Sequence, residues 1–457
     1  MHSATGRLQE PGRIKRGIGA MTATNIVVAN IIGVGIFTTS GILAGMLPSP
    51  GWVILCWAAG GLIAMAGALC YAELATRMPK EGAEYVYLRE LYHPALGFLT
   101  GWTSFLAGFS APVAASALGF SEYIFAGVGE GTFALKSMQL MVIKKSAAIG
   151  MILLFTSLHY TGLKAGSRVQ NILTAVKILI VLGLASAGLI YGRGDWANIY
   201  FGGGGPLNVP AVGTAMLLVM FAYSGWNASA YIAGELKEPR RTLPMSLLVG
   251  TSIVVVLYIA VNLFIFYALP HSEAAGVIPV VERASVNAFG GWMGRGLSLM
   301  IGVALLSSLS AYIIIGPRVY FAMARDRLFF PFASKVHPRF GVPGRSIVIQ
   351  GTIAVLMVLV GSFEQLLVYL GFALGIFPWL AVAGIFIARR RGIGDSSAVK
   401  VWGYPFVPLF FLVTMLGLLV VAYYNRPLES SAAVLTVIAG IPCYLLWVRA
   451  MKRSGGN

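Results

Sequence analysis

The chain has 457 residues, of which 58% are hydrophobic and only 11% charged, with a mean hydropathy of +0.81. Soluble globular chains carry roughly 25% charged residues, so this composition excludes an ordinary water-soluble domain and makes the lipid bilayer the chain's main surroundings. The formal net charge of +17 concentrates in the tails and alternate loops, as positive-inside orientation requires; it lacks the interleaved aromatics of a phosphate-binding surface, so nucleic acid is not an expected partner.

Apolar runs near the ~20 residues needed to cross the hydrocarbon recur from end to end. Twelve segments are expected, over 18–47, 52–74, 96–126, 146–160, 169–191, 212–233, 245–269, 291–324, 347–360, 366–388, 406–424 and 431–448. No short apolar run with a cleavage site precedes them, so a removable signal peptide is not expected. Basic residues cluster before the first segment (Arg7, Arg13, Lys15, Arg16) and after the second, fourth, sixth, eighth, tenth and twelfth. An even segment count with both termini cytoplasmic follows. After the second segment, the stretch ending in Tyr85 and Tyr87 reads as a short interfacial helix with its aromatics at the membrane face. The external loop over 271–289 has room for a short helix of its own.

The first segment carries Ile31-Ile32-Gly33-Val34-Gly35-Ile36-Phe37 at its middle. Each glycine lowers helix propensity by roughly 1 kcal/mol relative to alanine, and unwound backbone in lipid must find other partners. Two explanations fit: a helix break used for binding, or a glycine seam for close helix packing. The sixth segment carries Phe221-Ala222-Tyr223-Ser224-Gly225-Trp226-Asn227, a second weak point at matching depth. Interrupted helices at corresponding positions in two halves point to the substrate site of a secondary transporter. Amide N–H groups near Val34, Gly35 and Ile36 suit a carboxylate, and carbonyls near Ile31, Phe221, Ala222 and Ser224 suit an ammonium. Together they describe the head group of an α-amino acid. Ordinary packing is the alternative for Tyr223 and Trp226, and an interhelical hydrogen bond for Asn227.

In the fifth segment Lys177 stands nine residues past Arg168, roughly 13 Å along a helix. A lysine at that depth costs at least ~2.5 kcal/mol, so it either snorkels to the headgroups or braces other elements. Glu73, Glu122, Glu364 and His159 read as interfacial or structural groups. Cys56, Cys70 and Cys443 read as small apolar residues. No metal or other cofactor is expected. There is no Walker A loop and no catalytic constellation at membrane depth, so neither an ATP-driven pump nor an enzyme is expected. A channel would repeat a polar stripe across several helices, which the chain lacks.

With these pieces in order, the chain resembles the amino acid–polyamine–organocation (APC) superfamily, and within it the L-type amino acid transporter-like permeases. The matching pieces are Ile32 to Phe37; Tyr71-Ala72-Glu73-Leu74 with Pro79 and Gly82-Ala83-Glu84-Tyr85; Phe221 to Asn227 with Glu235, Pro239, Arg240 and Pro244; and Gly316-Pro317-Arg318 with Ala322 to Asp326. The resemblance implies an all-α membrane protein with a five-plus-five inverted repeat of the leucine-transporter kind and two extra helices. In those terms the chain divides into a tail over 1–17, a first repeat over 18–191, a second over 210–390, two helices within 404–449 and a tail over 450–457. It implies Na⁺-independent transport of amino acids at the cell membrane, by exchange or coupled to protons. Carried over by position, Val34 and Gly35 would hold the carboxylate. Ile31, Phe221 and Ser224 would face the amine, Phe221 would close over the substrate, and Asn227 would tie the broken region together. Lys177 would replace the sodium ion of Na⁺-coupled relatives and bond the unwound first segment near Ile31 and Gly33, beside the hydroxyl pair Ser307 and Ser308. Val34 and Ser224 depart from the residues common at their places. The pocket segments are apolar and small, which favours a neutral substrate over a polyamine or other organic cation. No accessory subunit is expected, because no external cysteine near the third and fourth segments offers a disulfide.

Overall fold

A computed structural model describes residues 18–125, 137–161, 163–202, 208–335, 337, 340, 342–361 and 363–454. The expected N-terminal tail and the segment end at Ala126 lie outside them, as do the side chains of Glu235, Arg318 and Ala322. The described residues form helices α1 (Ala20–Ile31), α2 (Val34–Met46), α3 (Pro50–Arg77), α4 (Glu84–Leu91), α5 (Pro94–Thr103), α6 (Ser110–Ile124), α7 (Ser137–Tyr160), α8 (Leu163–Tyr191) and α9 (Val209–Ala222). They continue as α10 (Pro239–Ala268), α11 (His271–Ala274), α12 (Val280–Phe289), α13 (Gly291–Arg325), α14 (Gly344–Val360), α15 (Phe363–Arg391), α16 (Phe406–Asn425) and α17 (Pro427–Ser454). No strand occurs among them; a lone bridge joins Ile18 to Leu236. Ten spans are long and apolar enough to cross a membrane, and Val209–Ala222 and Gly344–Val360 are shorter apolar helices.

Burial sorts these helices into a centre and a rim. The α1–α2 span is almost wholly covered, whereas α7, α16 and α17 leave most of their apolar surface facing outward. In a bilayer that outward surface meets lipid rather than water. The centre is built from α1 on α10, α10 on α3, α13 on α6, and α2 on α9. Between α5 and α6 a π turn, Ser104–Gly108, interrupts the third expected segment, and Ser110 Oγ donates to the Phe105 carbonyl there at 2.8 Å. Local widening of this kind recurs at functional sites.

The four ionisable residues noted at depth, Glu73, Glu122, Glu364 and His159, all have partners. Glu73 is fully buried and accepts from Arg389 Nη2 at 2.6 Å, Arg77 Nε at 2.9 Å and the Val401 amide at 2.8 Å. It thereby clamps α3 to α15 and to the chain that follows. Glu122 pairs with Lys144 at 2.7 Å and Glu364 with Arg426 at 2.6 Å. His159 is not interfacial but buried, with Nε2 2.8 Å from Ser310 Oγ. The short helix expected after the second segment is α4, and the external loop carries α11 and α12. The aromatics of α4 differ from expectation: Tyr85 and Tyr87 are buried in the protein rather than laid on the membrane face. Their periodicity could not distinguish a lipid-facing stripe from one packed against other helices.

Removing one partner of a buried ion pair strands the other. Glu73→Gln should therefore lower stability by about 3 kcal/mol, measured as a drop in the unfolding midpoint in detergent. Glu364→Gln at the exposed pair should change it by less than about 1 kcal/mol.

Candidate substrate site

The first interruption falls at Ile32 and Gly33, between α1 and α2. Gly33 is the N-cap of α2 and no side chain caps that end, so the first amides of α2 have no intrahelical acceptor. The second interruption follows α9 over Tyr223 to Asn227, before the 3₁₀ turns of Ala228–Glu235. The two broken stretches touch each other. A Cβ on Gly35 would lie 2.4 Å from Ala222 Cβ, and one on Gly225 would lie 2.8 Å from the Asn30 carbonyl carbon. Gly225 also has φ of 100°, a conformation that favours glycine. Position 35 meets 222 and position 30 meets 225, so the stretches run antiparallel. The stretch is therefore both interrupted and closely packed: Gly35 and Gly225 permit the contact, and Gly33 marks the break.

A small cavity opens beside this crossing, lined by Ile31, Gly33, Val34, Gly35, Phe221, Ala222 and Ser224, with Pro112, Ser116 and Tyr312. Seven of the eleven residues expected at the substrate site thus share one small cavity. Trp226 and Asn227 instead line a larger cavity, which also includes Ser224, Pro112 and Tyr312 in its wall. Ile36 is fully buried and lines neither. Tyr223 points away: its hydroxyl donates to the Trp57 carbonyl at 3.1 Å and its ring packs on Trp57 and Tyr258.

Freed carbonyls at the break are satisfied by three side chains, Lys177, Ser308 and Tyr258. Lys177 Nζ donates to the carbonyls of Ala29 at 2.8 Å and Ile32 at 2.5 Å, and to Ser308 Oγ at 3.1 Å. Three acceptors match the three N–H bonds of an ammonium, and two of them lie at the partially negative end of α1. The lysine is fully buried, so it does not snorkel. The contacts differ by one or two residues from the expected Ile31 and Gly33. Ser308 Oγ also lies 3.2 Å from the Ile32 carbonyl, while Ser307 Oγ pairs with Thr174 Oγ1 at 3.2 Å and does not reach the lysine.

The Ile31 carbonyl is held by a residue the sequence reading passed over. Tyr258 on α10, fully buried, places its hydroxyl 2.7 Å from the Ile31 carbonyl and 3.1 Å from the Ala222 carbonyl. One hydroxyl thus touches both interruptions. Glu84 is the other residue whose role was missed. Its Oε1 accepts from Asn227 Nδ2 and from the Tyr71 hydroxyl, each at 2.6 Å. Both residues sit in apolar or motif-bound stretches where only three-dimensional proximity reveals the partner.

The amino acid permease family profile matches residues 18–447. The chain belongs to that family. A serine/threonine exchanger of Bacillus subtilis (strain 168) is 30% identical to this permease over 442 residues, covering 95% of this chain and 97% of the relative. The human b(0,+)-type amino acid transporter 1 is 28% identical, covering 96% and 90%. The mouse large neutral amino acids transporter small subunit 2 is 26% identical, covering 95% and 81%. The permease is thus a multi-pass membrane protein of an amino acid transporter family that includes exchangers.

Tyr258→Phe tests the shared hydroxyl without removing volume. It leaves two buried carbonyls short of a donor, so stability in detergent should fall by about 1–3 kcal/mol, while Tyr267→Phe, at a partly buried site 3.3 Å from the Gly192 carbonyl, should stay within about 1 kcal/mol of the parent.

Proposed function

We propose that this permease exchanges neutral α-amino acids across the cell membrane by alternating access, independently of Na⁺. The observation that carries the proposal is the small cavity at the antiparallel crossing of the two interruptions. On one side stand the uncapped amides of α2, suited to a carboxylate; on the other lie Phe221, Ala222 and Ser224 at the carbonyl end of α9, suited to an ammonium. Val34 and Gly35 hold the carboxylate through backbone, Ile31, Phe221 and Ser224 face the amine, and Phe221 closes over the bound molecule. Gly33 gives the break its geometry, Ile36 supports it from behind, and Tyr223, Trp226 and Asn227 hold the second interruption.

Lys177 takes the place of a sodium ion, with Ser308 as its hydroxyl partner. A fixed ammonium there supplies the positive charge that a bound Na⁺ would bring. Ser307 supports this region through Thr174. The antiparallel crossing fits a five-plus-five inverted repeat over 18–191 and 210–390, with two more helices within 404–449 and both termini cytoplasmic. Exchange gains support from the Bacillus subtilis relative, whose name is that of a serine/threonine exchanger. Proton-coupled import is the variant of this reading that the further inference below bears on. One relative carries "small subunit" in its name; for this chain we propose function without an obligate accessory subunit, since Cys56 and Cys70 lie buried within α3 and Cys443 lies within α17, none of them in an external loop. A polyamine or organic cation would want a carboxylate in the small cavity, and none of its lining residues has one.

Liposomes loaded with one unlabelled amino acid at a time test the proposal. Labelled amino acid should enter without Na⁺ when a partner amino acid is inside; no flux of any amino acid refutes it. Lys177→Met strips donors from the Ala29 and Ile32 carbonyls, at about 1–3 kcal/mol each. At 1.4 kcal/mol per tenfold, a loss of at least about 2 kcal/mol should lower exchange at least about 30-fold, and normal exchange would remove the lysine from the mechanism.

A further inference from the structure

The larger cavity has a carboxylate in its wall, Glu84, that the proposed transport cycle does not use. Glu84 is 2% exposed and opens α4, outside the ten spans long enough to cross a membrane. Its Oε1 takes both the Asn227 amide and the Tyr71 hydroxyl, each at 2.6 Å. The Tyr231 hydroxyl also interacts with the carboxyl group, and Oε2 is buried without a well-aligned partner.

Among the described residues no cation forms an ion pair with this carboxylate. Tyr71 on α3, Tyr87 on its own helix and Tyr231 in the 3₁₀ turns are the titratable groups that act on it. From α5 and α15, which pack on α4, the cavity wall receives Thr100, Thr103, Leu374 and Phe377, none of them titratable. Arg89 on α4 points elsewhere, to Asp326 at 2.6 Å. A buried carboxylate held only by neutral donors favours its protonated form more than an exposed one does.

We infer that Glu84 is a proton-binding site whose ionised form latches the second interruption, through Asn227, to Tyr71 of α3. The carboxylate makes charge-assisted hydrogen bonds to Asn227 and Tyr71, roughly twice as strong as neutral ones. A proton arriving at Oε2 from the cavity neutralises the group. Oε1 then accepts only as a neutral carbonyl, and the hold on Asn227 loosens. Burial pushes the Glu84 carboxyl above the usual carboxylate range, and the hydrogen bonds from Tyr231, Tyr71 and Asn227 oppose that rise only in part. The sign follows: as pH falls from neutral, Glu84 takes its proton before exposed carboxylates do, and the latch weakens on the acid side. The consequence for flux rests on the exchanger reading; the proton site itself does not.

Infrared difference spectroscopy of the full chain in lipid tests the site. On acidification below neutral pH, the parent should gain the carbonyl band of a protonated, hydrogen-bonded carboxyl, and Glu84→Gln should lack it. Tyr71→Phe removes a donor to the charged form and should move the midpoint of that band up by about one pH unit. In liposomes, exchange by the parent should run about threefold faster at mildly acidic than at neutral pH as the latch weakens, and Glu84→Gln should show a flat profile. A band that survives in Glu84→Gln, or a midpoint that Tyr71→Phe leaves in place, overturns the proton site. A parent-like pH profile in Glu84→Gln overturns the latch. If no protein moves amino acids while the band behaves as expected, the exchanger reading fails and the proton site stands.

Discussion

Everything at the centre of this permease depends on satisfying backbone groups that two interrupted helices release where water is scarce. An unpartnered buried amide or carbonyl costs about 1–3 kcal/mol, and the interruptions expose several at once. The protein answers with side chains from three other helices. Lys177 of α8 bonds the carbonyls of Ala29 and Ile32, Ser308 of α13 joins it, and Tyr258 of α10 reaches both Ile31 and Ala222. The amides that open α2 receive no side-chain cap. The bonded carbonyls of Ile31 and Ala222 each keep a second lone pair, so under the proposed reading an ammonium can approach them while the amides of α2 face a carboxylate.

Close contact and chain breakage serve the same geometry. Gly35 against Ala222 and Gly225 against Asn30 let the two stretches cross closely, with the Ala222 methyl packed directly on Gly35. Only then can a single tyrosine hydroxyl touch both, and only then do the amides of α2 and the carbonyl end of α9 share one small cavity. It also follows that a bulky residue at position 35 would fail for steric reasons alone, whatever it did to substrate.

The large pattern was legible in the sequence because it is written in composition and in glycine placement. Long apolar runs fix an all-helical membrane protein, and paired weak points mark where two of its helices break. Lys177 stood out because a charge in an apolar run has few explanations. Tyr258 did not stand out, because tyrosine in a membrane helix is ordinary and its meaning lies in two carbonyls at positions 31 and 222. Glu84 was visible as part of a motif, yet its burial depends on α4 folding inward, which the expectation of membrane-facing aromatics had reversed. Ser307 and Ser308 looked equivalent in sequence, and only the rotation of α13 turns Ser308 toward the lysine and Ser307 toward Thr174. The same limit applies to Tyr223, whose ring turns toward α3 and away from the cavity.

The central claim is that this crossing recognises both ends of an α-amino acid head group. Competition during exchange in liposomes tests it most directly, using a transported amino acid, the amine that lacks its carboxylate and the acid that lacks its amino group. The account predicts that only the intact amino acid inhibits uptake of label, because each analogue leaves one half of the site without its partner. Equal inhibition by the amine or by the acid would contradict it.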